Sequence, residues 1–306
     1  MTTEGTKREL ENFFNLSRLT LQANGRYVHA LGAGDGPLVI AVHGFPDLPI
    51  SFRHQIPVLA ANGYRVVAPC LRGYSESEPE SNGPFEVAIL IQDLLALIDR
   101  LTDQPVTLIG HDWGTSVVRG AAIMAPAKVA RIVSMSVPTA GNFSRALLIN
   151  PVQQRRSWYM YFFQLPFAEM AVAQDDCTFI EQLWQDWSPG WQCPQAIMDE
   201  IKAAFRQPAV LKAALGYYRS QFNPALQRPE LADIRKRLGD PIPVPAMHLH
   251  GADDGCIGEE TTTGMESAFI KHFEKHIIPS AGHFVHQEQP DVVNRLILAF
   301  LNRQQA

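Results

Sequence analysis

Continuous apolar runs of strand length, separated by helix-compatible sequence, constrain this chain more than any other feature. PLVIAVHG (37–44) is apolar up to its closing His-Gly, and RVVAPC (65–70) and VTLIGH (106–111) repeat the pattern. Strands that do not alternate apolar with polar residues are buried on both faces, as in a parallel sheet covered by helices. Between the second and third runs, EVAILIQDLLALIDRL carries apolar positions at helical spacing. VARIVSMSV (129–137) predicts another strand, and VPAMHLHG (244–251) and EKHIIPSAG (274–282) predict two more after a long gap. Upstream, LSRLTLQ and RYVHALG flank Asn24-Gly25, the strongest short hairpin signal. The alternation predicts an α/β fold, a mostly parallel sheet flanked by helices.

The stretch 139–243 has another character. WYMYFFQLPFAEM, FIEQLWQDW, IMDEIKAAF and AVLKAALGYYRSQF are all helix-compatible, with Pro and Gly punctuation and no convincing strand. They predict a helical cap inserted after the strand near 129–137, so that 1–138 and 244–306 form the core and 139–243 the cap domain. Ligands of open α/β sheets collect at the carboxyl ends of the strands, here beneath such a cap. With 46% hydrophobic and 19% charged residues, disorder is a poor reading, and a net charge of −5 gives no footprint for nucleic acid or anionic lipid. Cys70, Cys177, Cys193 and Cys256 form no CxxC pair and read as reduced thiols. The polar start MTTEGTKRELENFF lacks the pattern of a secretory signal, and no membrane-length apolar run occurs, so a cytoplasmic protein is expected.

At Gly110-His111-Asp112-Trp113-Gly114 an expected strand gives way to a helix in the pattern G-x-nucleophile-x-G. The glycines permit a sharp turn that holds the middle side chain above the sheet, with the next backbone N–H facing the reacting oxygen. The pattern arises by chance roughly 0.2 times in a chain of ordinary composition, and the competing role for Asp112 is to cap the helix. Its place between strand and helix singles it out. Such a nucleophile needs a base, and the base an orienting carboxylate, in the chain order nucleophile, acid, histidine. Asp254, beyond the strand 244–251, and His283, beyond the strand 274–282, fill that order. Asp253 is the rival acid, the residue three past Gly251 being preferred. An acid just after Val137 is ruled out, because between Asp103 and Glu169 only Asp112 carries a carboxylate.

His286 competes with His283 and reads as an exposed residue near the start of the last helix. His248 and His250 share one strand face and His272 and His276 lie four apart, spacings that admit a metal. No third-ligand motif such as HExxH accompanies them, and no metal is expected. His43-Gly44-Phe45-Pro46 ends the first buried run, and its glycine lets the chain turn over the nucleophile. The Phe45 N–H could then join the Trp113 N–H as an oxyanion hole, although an ordinary strand-to-loop turn reads the same.

Taken together, these segments resemble the α/β-hydrolase fold family and, within it, the soluble epoxide hydrolases. The similarity runs from HGFPDLPISFRHQIPVLAANGYRVVAPCLRGYSES through GHDWG to GADD and AGHF. The resemblance implies two lid tyrosines, matched by Tyr159 in SWYMYFFQ and by Tyr218, the tyrosine beside Arg219 in GYYRSQF, with Tyr161 and Tyr217 as packing neighbours. It implies a substrate site including His43, Pro46, Trp113, Tyr159 and Tyr218, a hydrophobic epoxide and water as partners, and no cofactor. Nucleic acid and membrane are not implied, and a homodimer is admitted. Cys70 departs from the Asp usual in the related APDLRG stretch, at a position with no catalytic task.

An Asp nucleophile attacking saturated carbon forms an alkyl ester of the enzyme, which water must later hydrolyse. The leaving group separates two readings. An opened epoxide becomes an alkoxide whose conjugate acid resembles water, pKa ~15.7, and demands an acid such as tyrosine. A halide demands only N–H donors, and Phe45 stands where haloalkane or haloacid dehalogenases often have Asn. Epoxide hydrolysis to a vicinal diol is therefore expected, with dehalogenation and a noncatalytic ligand receptor as alternatives. The aromatic runs WYMYFFQLPF and WQDWSPGW either line an apolar cavity or pack the cap onto the core.

Overall fold

The computed structural model describes residues 9, 11–74 and 83–303. The segment 1–8 of the polar start and residues 75–77 at the end of CLRGYSES lie outside the described residues. Eight strands run along the chain: β1 (Ser17–Ala23), β2 (Arg26–Ala33), β3 (Leu38–Val42), β4 (Arg65–Pro69), β5 (Val106–His111), β6 (Val129–Met135), β7 (Ala246–Gly251) and β8 (Phe273–Ile278). They form one sheet in the order β1-β2-β4-β3-β5-β6-β7-β8. The first two make the expected antiparallel hairpin, closed by Asn24 and Gly25, both with positive φ. That backbone matches the twist of the flanking strands. From β4 to β8 every neighbouring pair is parallel.

The two-sided cover expected of the apolar runs is present. Val39, Ile40, Ala41, Leu108, Ile109, Ile132 and Val133 are wholly buried. Around them lie α1 (Gln55–Ala61), α2 (Val87–Leu101) and α3 (Trp113–Met124). Helix α2 buries Leu90, Ile91, Leu94, Leu97 and Ile98, a stripe at spacings of three and four, and has Arg100 in its last turn, where a cation suits the helix dipole. Several strands are shorter than their apolar runs, β6 and β8 at their C-terminal ends. β6 stops at Met135 and β8 at Ile278 because Ser136 and Ser280 adopt left-handed φ values of 66° and 55°, turning the chain out of the sheet.

Between β6 and β7 the described residues form helices and turns without a strand. The helices are α4 (Ala140–Ile149), α5 (Pro151–Arg156), α6 (Trp158–Phe162), α7 (Ala168–Trp187), α8 (Gln195–Phe205), α9 (Pro208–Phe222) and α10 (Ala232–Arg237). Helix α7 is broken at Asp175, Asp176 and Cys177, all with positive φ. Past β8 come α11 (Val285–Glu288) and α12 (Pro290–Leu301). All four cysteines are free, as the sequence suggests. Among the described residues no helix is long and apolar enough to cross a membrane.

Candidate active site

Strand β5 ends at His111 and α3 begins at Trp113, leaving Asp112 in the turn at φ 49° and ψ −119°. A non-glycine residue held there is strained by about 1–3 kcal/mol and persists only where its surroundings enforce it. The enforcement is steric. A Cβ on Gly110 would lie 2.4 Å from the Gly114 carbonyl oxygen, one on Gly114 2.0 Å from that of Val42, and one on Gly44 2.4 Å from the Asp112 Cβ. Strand, turn and helix therefore approach as only glycines allow. The Asp112 carboxylate makes no capping bond to α3. Instead its Oδ1 accepts the Phe45 N–H at 2.7 Å, and its Oδ2 lies 3.7 Å from His283 Nε2. Trp113 is the first residue of α3, so its N–H belongs to the first turn, whose amides lack partners within the helix.

Beyond β7, Asp254 is buried and Asp253 exposed. Asp254 Oδ1 accepts the backbone N–H groups of Cys256 and Ile257, each at 2.8 Å, and Oδ2 accepts His283 Nδ1–H at 2.9 Å. This fixes the imidazole tautomer and leaves Nε2 toward Asp112. Both backbone groups of His283 are clamped as well. Its N–H reaches Ser188 Oγ and the Trp187 carbonyl, and its carbonyl accepts from Ser136 Oγ and His111 Nε2. Glu288 completes the loop by accepting Ser188 Oγ–H and the Gly282 and Phe284 N–H groups. Nothing in the local sequence announced Ser188 or Glu288.

Electrostatics single out one histidine. Burial pushes His43 down to about 4 and His111 to about 3, and holds His248, His250 and His286 below the ordinary value. Burial also opposes the His283 imidazolium, but the Cys256 sulfur and the Asp254 and Asp112 carboxylates outweigh it and hold its pKa well above the usual 6.5.

Tyr159, on α6, and Tyr218, on α9, are both buried, with ring centroids 5.6 Å apart. Tyr218 packs edge-on to Phe45 and Trp113, each at 5.2 Å, and its hydroxyl makes no hydrogen bond of ordinary geometry among the described residues, the Trp113 side chain being the polar group that approaches it. The Tyr159 hydroxyl meets Cys256 Sγ at 3.3 Å. Burial first, with charged neighbours adding to it, raises both phenols well above 10. Their neighbours are committed elsewhere, Tyr217 by donating to the Arg72 carbonyl at 2.6 Å and Tyr161 by facing solvent. The aromatic runs divide. Phe163 and Trp187 surround the Phe45 ring, whereas Trp184 stacks on Phe284 at 3.6 Å and donates to the Pro46 carbonyl.

One expectation shifts. His286 is not exposed: it is wholly buried, 5.0 Å from the Phe52 ring and 4.6 Å from that of His111, because α11 packs onto the turn at 49–52. His43 sits below the site but spends both ring nitrogens on backbone, donating to the Gly44 carbonyl and accepting the Leu71 N–H. It shapes the loop and offers a substrate no free nitrogen. As for metals, His248 and His250 bond to one another, to Ser134 and to the Ile257 carbonyl. Two buried groups do bring donor atoms within 4.8 Å, Asp47 with His111 and His286, and Asp254 with Cys256 and His283. In the first, burial raises Asp47 to about 8, which favours a neutral carboxyl there.

A family model for the alpha/beta hydrolase fold matches residues 37–290. The chain is an alpha/beta hydrolase. This alpha/beta hydrolase is also epoxide hydrolase-like. It is 29% identical over 293 residues to Epoxide hydrolase 4 of Mus musculus, covering 93% of this chain and 79% of the relative. It is 29% identical over 315 residues to Epoxide hydrolase A of Mycobacterium tuberculosis, covering 92% and 96%. The crystal structure of Bacillus megaterium epoxide hydrolase with an inhibitor superposes with a TM-score of 0.78 at 27% identity, over 93% of this chain and all of that one.

Proposed function

We propose that this alpha/beta hydrolase opens hydrophobic epoxides to vicinal diols through an alkyl ester on Asp112, with residues 139–243 capping the site. One observation carries the reading: a carboxylate with one oxygen on an amide and the other facing a carboxylate-held histidine, near a buried tyrosine hydroxyl that has no ordinary hydrogen bond among the described residues. In the first step Asp112 Oδ2 attacks a ring carbon and the C–O bond breaks. The phenols of Tyr159 and Tyr218 both donate hydrogen bonds to the ring oxygen as charge develops on it, and one of them gives up its proton and is left as phenolate. Their raised pKa values move them toward that of the alkoxide, and a phenol that stays protonated is the form that can donate.

In the second step His283 Nε2 takes a proton from water, whose oxygen bonds to the Asp112 carboxyl carbon. Negative charge develops on Oδ1, where the Phe45 N–H already donates and the Trp113 N–H is the second candidate donor. Collapse releases the diol oxygen, which takes its proton from His283; the proton left on the regenerated Asp112 carboxyl returns to the phenolate formed in the first step, which restores the carboxylate and the tyrosine. Forming the ester also removes one of the charges that raise the His283 pKa. The imidazole is thereby shifted toward its neutral, basic form when a base is needed.

The test is single turnover of styrene oxide in heavy-oxygen water. Label in the Asp112 side chain, with diol formed, is expected; labelled diol without label in Asp112 makes water the direct attacker and refutes the ester. Phe45 offers no side-chain donor for a halide, and 1-chlorobutane run in parallel tests dehalogenation. Binding of styrene oxide without turnover identifies a receptor.

A further inference from the structure

Cys256 stands where the histidine–carboxylate pair meets the cap tyrosine. Its position is fixed on both sides, because its N–H donates to Asp254 Oδ1 at 2.8 Å and its carbonyl accepts Gln153 Nε2–H at 2.9 Å. The sulfur is wholly buried, 3.3 Å from the Tyr159 hydroxyl oxygen, and lies within 4.8 Å of a ring nitrogen of His283 and a carboxylate oxygen of Asp254. Tyr218 has no such partner. The direction of the sulfur–oxygen bond matters. If the phenol donates to sulfur, its hydrogen points away from any substrate; if the thiol donates, the phenolic hydrogen is free to turn to another acceptor.

We propose that Cys256 is a positioning residue: its thiol donates to the Tyr159 hydroxyl oxygen and directs the phenolic hydrogen toward the epoxide oxygen. The inference rests on Tyr159 acting as a proton donor in the reaction above. A thiol suits the task because it is a weak acceptor as well as a weak donor. It orients the phenol without competing strongly with the substrate for its hydrogen.

The test is a double-mutant cycle of Cys256→Ala and Tyr159→Phe with Cys256→Ser as the rescue, in rapid-quench single turnovers that separate ester formation from ester hydrolysis. Cys256→Ala should slow ester formation about tenfold, less than the hundredfold or more that a general acid supplies, and change hydrolysis by less than about twofold. Cys256→Ser, with a hydroxyl in place of the thiol, should recover most of that loss. In the Tyr159→Phe background Cys256→Ala should add nothing further. The proposal is overturned by itself if Tyr159→Phe slows ester formation but Cys256→Ala is without effect, multiplies with it, or slows both steps equally. If Tyr159→Phe forms the ester at the wild-type rate, the donor assignment fails and the role of Cys256 fails with it.

Discussion

Tyr218→Phe should stabilise the fold while crippling ring opening, and the two effects have separate physical sources. The Tyr218 ring packs against Phe45, Trp113, Tyr159 and Phe163, and a phenylalanine keeps all of these contacts. What it loses is a buried hydroxyl that makes no ordinary hydrogen bond among the described residues. An unsatisfied buried polar group costs about 1–3 kcal/mol, so taking the lower end the variant should gain ~1 kcal/mol. With about 2.1 cal/mol/K of unfolding entropy per residue, a chain of this size should melt roughly 1–2 °C higher. Loss of a proton donor slows ring opening by about 10²–10⁴-fold, or about 2.7–5.4 kcal/mol at 1.36 kcal/mol per decade. Tyr159→Phe breaks the bond to Cys256 and should give no such gain, though it also slows ring opening. Scanning calorimetry and rapid-quench single turnovers on both variants read the two effects. A Tyr218→Phe protein that melts lower means the hydroxyl is satisfied in solution, and one that forms the ester at the normal rate means it is not the donor.

His283→Ala should form the ester and keep it, with hydrolysis slowed about 10²–10⁴-fold by loss of the general base. Intact mass should then rise by one styrene oxide, and steady rapid turnover by this variant contradicts the scheme. Gly44→Ala places a methyl group 2.4 Å from the Asp112 Cβ, so ester formation should be lost or the fold weakened; a stable variant that forms the ester normally disproves the steric account. Stability should depend on pH through His283, whose raised folded pKa stabilises the fold fully below the unfolded value near 6.5 and ceases to as pH rises through the folded value. Asp254→Asn removes one of the raising charges. The advantage of the wild type over this variant in urea unfolding should therefore be largest just below about pH 6.5 and shrink on the alkaline side; an advantage that grows with pH refutes the assignment.

What the sequence showed depends on how local the cause was. Two-sided burial of β3 and β5 could be read from their largely apolar runs, and the hairpin from one dipeptide whose backbone preference is intrinsic. The glycines around Asp112 signalled a tight turn, and counting from Gly251 picked the buried acid over its exposed neighbour. Tyr218 was distinguished from Tyr217 by likeness to a family; the packing reason, a bond from Tyr217 to the Arg72 carbonyl, spans 145 residues. Burial of His286 escaped notice because a short helix gives no sign of the turn that covers it. The break in α7 contains neither Gly nor Pro, and its Asp176 is tied to Lys202 in α8 and to Arg206 just past that helix's end. Cys256 and Ser188 gained their contacts only when loops distant in sequence came together.

Strands β6 and β7 lie side by side with Ile132 opposite Ala246 and Met135 opposite Leu249, although the whole helical excursion separates them along the chain. The sheet closes as if that excursion were absent. Stretches of the excursion remote from Tyr159, Tyr218 and the Trp187–Ser188 clamp on His283 can therefore change without disturbing the pairing of these two strands. Length and sequence there are free to drift faster than in the strands that the excursion interrupts.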